Sequence, residues 1–242
     1  MDPWLWLGLF ILLAYTVEAA TGFGSIVIAL SLGALFLPIT ELLPVLVPLN
    51  IIFSGYLCIR HRAHIQWPTL LRLILPLMAL GTLFGYLLRP ILGGAVLHSL
   101  FGVLLIVFAT RQLWLMHRTA ETEASRPSKQ QALTLAAGIT HGLYASGGPL
   151  LVYALASSTL AKAELRSTLI TVWFTLNSLL TLIFLADGSL LSALPRLASY
   201  LPTIIIGIMA GEWLHHRINE QRFRQLVFML LGVLGAILAV SA

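Results

Sequence analysis

Residues 3–37 read PWLWLGLFILLAYTVEAATGFGSIVIALSLGALFL, and the way this stretch folds decides the architecture. As one α-helix its 35 residues would run about 52 Å, far more than the roughly 30 Å hydrocarbon core of a bilayer. The stretch is interrupted by Thr21-Gly22-Phe23-Gly24-Ser25, whose glycines tolerate conformations that end a helix. A second long stretch, 132–161, holds 30 residues and as one helix would run about 45 Å. It is broken by Ser146-Gly147-Gly148-Pro149, where the proline also removes a backbone donor. Each stretch reads as a re-entrant hairpin of two half-helices. A single kinked crossing is the competing reading.

Composition sets the solvent. Of 242 residues, 59% are hydrophobic and only 10% charged, with a mean hydropathy of +0.95, so the chain belongs in lipid rather than water. Besides the two broken stretches, apolar spans are expected at 42–59, 68–88, 91–110, 168–186, 197–214 and 225–242. The net charge of +5 does not point to nucleic acid, because the basic residues sit in loops between apolar spans. The start, Met1-Asp2-Pro3-Trp4, lacks a basic signal-peptide region, so the first span is expected to remain. Cys58 stands alone, without metal-ligand spacing, and no metal, cofactor or catalytic set is expected.

The 14 Lys and Arg residues decide between hairpin and single crossing, because cytoplasmic loops of membrane proteins are enriched in them. With hairpins that enter and leave on one side, only Arg89 and Arg196 fall outside. With single crossings the positive residues divide without bias. The hairpin topology puts both termini outside, the localisation being a bacterial inner membrane. The second half then starts inside, upside down relative to the first, and the fold expected is all-α with two inverted-topology repeats, each a broken hairpin plus three spans. The repeats are 1–116 and 131–242, with a cytoplasmic linker at 117–130. Matching positions recur in order: Gly24 with Gly147, Glu41 with Glu164, Gly81 and Gly85 with Gly207 and Gly211, Gly102 with Gly232.

Inverted repeats with discontinuous helices are a common plan of secondary transporters. At each break a half-helix begins at depth with backbone N–H groups that lack intrahelical acceptors, and such termini favour anions. No Arg or Lys is expected deep within a span. Attraction would therefore come from backbone dipoles, hydroxyls and a protonated histidine. The candidate substrate contacts are Thr21, Gly22, Phe23, Gly24, Ser25, Ser146, Gly147, Gly148 and Pro149, with Asn50 and Asn177 from the spans that follow. Close helix packing is the alternative role for the glycines, and helix-to-helix bonding that for the amides and for Ser54, Thr175 and Ser178. Glu18 and His141 occupy matching depths and are the candidates for proton coupling, a structural pair being the alternative.

The two motifs, Thr21-Gly22-Phe23-Gly24-Ser25 and Ala145-Ser146-Gly147-Gly148-Pro149, together with the duplicated layout, resemble those of the sulfite exporter TauE/SafE family. Members often carry a third glycine in each motif, where this chain has Ser25 and Pro149. The resemblance implies a permease for sulfite, organosulfonates such as sulfoacetate, or related sulfur-containing anions. Its partners would be a small anion and the lipid bilayer, and a homo-oligomer is compatible with it; the resemblance does not fix the driving ion, for which protons are the candidate on the strength of Glu18 and His141. An anion channel or a non-transporting scaffold is the competing function. An intramembrane serine protease using Ser146 with His141 as base is a further alternative.

Overall fold

The computed structural model describes residues 2–21, 24–116, 127–155, 160–215, 217 and 219–241. All regular elements among them are helical. They are α1 (Pro3–Thr21), α2 (Ser25–Gly33), α3 (Ile39–Arg60), α4 (Trp67–Thr69), α5 (Leu75–Met116), α6 (Pro127–Tyr144), α7 (Gly148–Ala154), α8 (Lys162–Ala186), α9 (Ser189–His215) and α10 (Glu220–Val240). A 3₁₀ turn at Arg62–His64 precedes α4, and a π turn at Leu70–Ile74 joins α4 to α5.

Among the described residues six helical stretches are long and apolar enough to cross a bilayer: Pro3–Ala20, Ile39–Arg60, Trp67–Met116, Ala163–Ala186, Ser189–Leu214 and Gln221–Val240. The third holds 50 residues, about 75 Å of helix, or more than two core thicknesses. It is broken at Gly93 (φ 72°, ψ 166°), a backbone state open to glycine and strained for other residues. The sequence places this boundary at Arg89-Pro90, but the helix runs on through both. Pro90 costs only a local hydrogen bond there, next to a break that already exists.

Each broken stretch holds two helices of unequal length that pack on one another. The first arms, α1 and α6, have 19 and 18 residues, about 27–28 Å each, close to a full core thickness. The second arms, α2 and α7, have only 9 and 7. Residues 127–130 of the expected linker already belong to α6, and 117–126 lie outside the described residues. Helix ends follow local chemistry. Asn219 caps α10 by accepting from the Arg222 N–H at 3.1 Å, the Glu164 carboxylate accepts from the Ala161 N–H at 2.9 Å at the start of α8, and Gly188 (φ 82°) follows its end.

The chain divides into two compact units. The first comprises Met1–Leu46, Leu92–Ala120 and Ser192–Ala242. In it α1 packs on α2 and on the Gly207 and Gly211 positions of α9. A Cβ on Gly207 would lie 3.0 Å from the Leu12 carbonyl, and one on Gly211 would overlap the Thr16 carbonyl. Gly102 of α5 packs against Gly235 and Ala239 of α10. Tyr200 Oη donates to the Trp4 carbonyl at 2.6 Å, beside an Arg196 guanidinium 3.7 Å from the Trp4 ring centroid.

The second unit comprises Val47–Ile91 and Glu121–Leu191. Its α5 segment has two chemically distinct faces. Leu80, Phe84, Leu87 and Ile91 point outward, 56–77% exposed, as a lipid-facing stripe requires. Gly81, Thr82 and Gly85 face α6. A Cβ on Gly81 would lie 2.5 Å from the Leu135 carbonyl, and one on Gly138 2.5 Å from that of Met78. Backbone against backbone is how helices gain contact where lipid supplies no hydrophobic drive between them. A cluster of Ile65, Leu70, Ile74, Met78, Ala137, Leu151, Leu155, Val172 and Leu176 fills the rest.

Gly138→Val should lower the melting temperature of detergent-solubilised protein, an overpacking cost of about 3 kcal/mol. Gly94→Ala should leave it unchanged, since a Cβ there meets nothing within 4 Å. Equal melting temperatures for the two variants would remove the close α5–α6 contact from the account.

Candidate functional site

The second break is built from the C-terminus of α6. The Ala145 N–H donates to the His141 carbonyl at 2.7 Å, and Ala145 then takes φ 52°, a left-handed state uncommon for a side-chain-bearing residue. Ser146 turns back, its hydroxyl donating to the Tyr144 carbonyl at 2.9 Å. Pro149 opens α7. A Cβ on Gly147 would overlap the Ala137 carbonyl, and one on Gly148 would lie 3.3 Å from Trp173. Both glycines thus permit close packing of protein on protein. With 7 residues, α7 spans about two turns and has a correspondingly small dipole.

Polar side chains converge beside this turn from three helices. Asn177 of α8 donates its amide to Asn50 Oδ1 of α3 at 2.8 Å, and both residues are buried. His141 of α6 is 1% exposed, its ring stacked on Trp173 with centroids 5.8 Å apart and planes at 18°. Neither His141 ring nitrogen has a hydrogen bond of ordinary geometry, and Asn177 Oδ1 also lacks a partner. Asn177 is a polar neighbour of the imidazole, but the two stop short of a bond. Buried polar atoms left unpaired cost about 1–3 kcal/mol each, so three in one place call for an explanation.

Arg89, a loop residue on the sequence reading, is a buried basic side chain. It stands near the Gly93 break of α5, yet its side chain turns inward and is 7% exposed. Nη2 donates to the Gly142 carbonyl in the last turn of α6. The guanidinium lies 5.1 Å from the Tyr86 ring centroid and 5.4 Å from that of Phe184. Among the described residues its Nε–H has no partner. Tyr86 Oη donates to Asp187, in the turn after α8. Burial opposes charge on Asp187, but hydrogen bonds from Ser189 and Tyr86 outweigh it and hold the carboxyl below its ordinary range. A sequence signal for Arg89 exists: Gly81, Gly85 and Arg89 fall four residues apart and so share one helix face.

Other candidates are placed differently. Gly22 and Phe23 lie outside the described residues, as does the side chain of Thr21. Gly24 (φ 100°) precedes α2 as its N-cap and Ser25 is buried. Glu18 is half-buried in the last turn of α1, and belongs to the first unit whereas His141 belongs to the second. The hydroxyls of Ser54, Thr175 and Ser178 bond carbonyls of their own helices at 2.7–2.8 Å. Ser146 does not meet His141, so these two are not assembled as nucleophile and base.

An all-helical chain with apolar stripes facing outward and six stretches of membrane-crossing length is a multi-pass membrane protein. The family model described as sulfite exporter TauE/SafE matches residues 7–238, and the chain belongs to that family of membrane anion exporters. No curated protein and no solved structure matches it.

Asn50→Ala should destabilise the protein by about 1–3 kcal/mol, because Asn177 loses the acceptor of its amide. The double change Asn50→Leu with Asn177→Leu should recover most of that stability while lowering transport. A double variant with wild-type transport would reduce the pair to a structural bond.

Proposed function

We propose that the protein is a secondary transporter that moves small sulfur-containing anions, such as sulfite or an organosulfonate, across the bacterial inner membrane. The observation that carries this is the buried cluster of His141, Asn177 and Arg89, beside Asn50, in which the His141 ring, Asn177 Oδ1 and Arg89 Nε lack hydrogen bonds of ordinary geometry among the described residues; such polarity suits a small polar ligand and nothing in a bilayer. Family membership supplies the anion class. Ser146, Gly147, Gly148 and Pro149 build the turn that holds His141 in place. The matching break at Thr21, Gly22, Phe23, Gly24 and Ser25 contributes a second set of substrate contacts.

The halves are read as inverted repeats with both termini outside. Two observations support this. In each unit the first arm of a hairpin packs on a glycine pair from the opposite half of the sequence, α1 on Gly207 and Gly211, α6 on Gly81 and Gly85. Basic residues also gather beside the turn after α3. Partial burial, then Arg166, Arg60 and His64, hold the His61 imidazole below its usual range, and such clusters favour the cytoplasmic face. Glu18 and His141 are the groups through which protons would couple to transport.

Purified protein in liposomes should carry sulfite or sulfoacetate saturably, and faster with a proton gradient. Glu18→Gln should abolish the gradient dependence while sparing anion binding. Flux that never saturates would indicate a channel, and no flux of any sulfur anion would overturn the proposal.

A further inference from the structure

We infer that Arg89 is the counter-ion of the transported species: a singly charged sulfur oxyanion binds against the Arg89 guanidinium and the His141 imidazole, within the second unit. This deepens the anion-transport reading and rests on it.

The case begins with charge. Arg89 carries a permanent positive charge although it is only 7% exposed. Among the described residues no carboxylate forms an ion pair with it. Asp187 attracts it only at longer range, and the Asp187 oxygens are already engaged by the Tyr86 hydroxyl and the Ser189 N–H. The Gly142 carbonyl offers the negative end of α6, equivalent to about half an elementary charge. The faces of Tyr86 and Phe184 add a partial, non-ionic attraction. None of these is a formal charge in direct contact with the guanidinium, which is left without an ion-pair partner in a low-dielectric site.

Geometry then says where the missing partner goes. Arg89 Nε–H is a free donor, while Nη2 is occupied on Gly142. His141 is close enough to Arg89 for the two to interact electrostatically, and Asn177 lies within weak hydrogen-bonding reach of the imidazole; among the described residues neither ring nitrogen has a bond of ordinary geometry. A neutral imidazole presents one donor and one acceptor whichever tautomer it adopts. Asn177 Oδ1 beside it is an acceptor held by no bond of ordinary geometry among the described residues, so a ligand can compete for it and for the imidazole. The site therefore has one full positive charge, two N–H donors and unpaired acceptors. A monoanion neutralises it, whereas a dianion would carry surplus charge into the same low dielectric. The free acceptors suit a ligand with a protonated oxygen, as in hydrogen sulfite, and not a fully deprotonated tetrahedral dianion.

The test uses the intact protein in phosphatidylcholine nanodiscs, with melting temperature followed against methanesulfonate, hydrogen sulfite and, at matched ionic strength, sulfate. The two monoanions should stabilise the wild type saturably and sulfate should not. In an Arg89→Gln variant that still melts cooperatively, half-saturation should shift by about 30-fold or more, since a charge-assisted pair is lost. Arg89→Lys keeps the charge without the fork and should shift it about tenfold. If Arg89→Gln does not fold, the lysine variant carries the decision. An unchanged methanesulfonate response in either variant would reduce Arg89 to a cap on α6. Equal stabilisation by sulfate would overturn the selection for single charge. Saturable sulfite flux that persists unaltered in Arg89→Gln would overturn the assignment and leave the transport reading intact. Methanesulfonate binding lost with Arg89, in a protein that moves no sulfur anion, would do the reverse.

Discussion

The contact of α5 with α6 leaves no room for a side chain at Gly81, Gly85, Gly138 or Gly142. In lipid, where burying apolar surface brings two helices no hydrophobic gain, this close approach is how they find enough dispersion contact to stay together. The same approach sets the chemistry. Because α5 lies against the end of α6, the next residue on its glycine face, Arg89, reaches the Gly142 carbonyl. Because α6 is fixed there, His141 meets Trp173 and comes beside Asn177. Separating the helices by the width of one methyl group would disturb both.

Polar burial in this setting has to be explained by function or by pairing, and pairing accounts for only part of it. Asn50 and Asn177 share one bond, and the hydroxyls of Thr175 and Ser178 bond carbonyls of their own helix, α8. His141, Asn177 Oδ1 and Arg89 Nε are left over. They lie beside a turn with a left-handed alanine, a local strain that persists only where the surrounding packing enforces it. Strain and unpaired polarity in one place are the usual marks of a site kept ready for a ligand.

Much of the fold was legible because lipid makes the code simple. The apolar helices, the breaks near Gly24 and at Gly147-Gly148, and the recurrence of Gly81/Gly85 with Gly207/Gly211 follow from hydropathy and glycine spacing. The unequal arms were not legible, because Pro127–Gln130 is polar and hydropathy assigns it to a loop, although it is the first turn of α6. The α5 break was misplaced for a related reason. Arg89-Pro90 carries both usual signs of a loop, a charge and a proline, while the actual break needs only the positive φ of Gly93. Counting Arg89 as a loop residue also hid it from the site. Hydropathy windows weigh a charge by its position along the chain and not by the direction of its side chain. Asn50, Asn177 and His141 could be named from sequence because amides and an imidazole within apolar spans stand out, but their convergence depends on helices brought together from distant positions.

The central claim is that a small monoanion is held in the second unit by Arg89 and His141. Crystals of the intact protein soaked in bromomethanesulfonate would test it through the anomalous signal of bromine. The account predicts a peak in the second unit, beside the Arg89 guanidinium and the His141 ring, that disappears in Arg89→Gln. A peak at the Thr21 to Ser25 break alone, or one beside His141 that survives loss of the guanidinium, would contradict it.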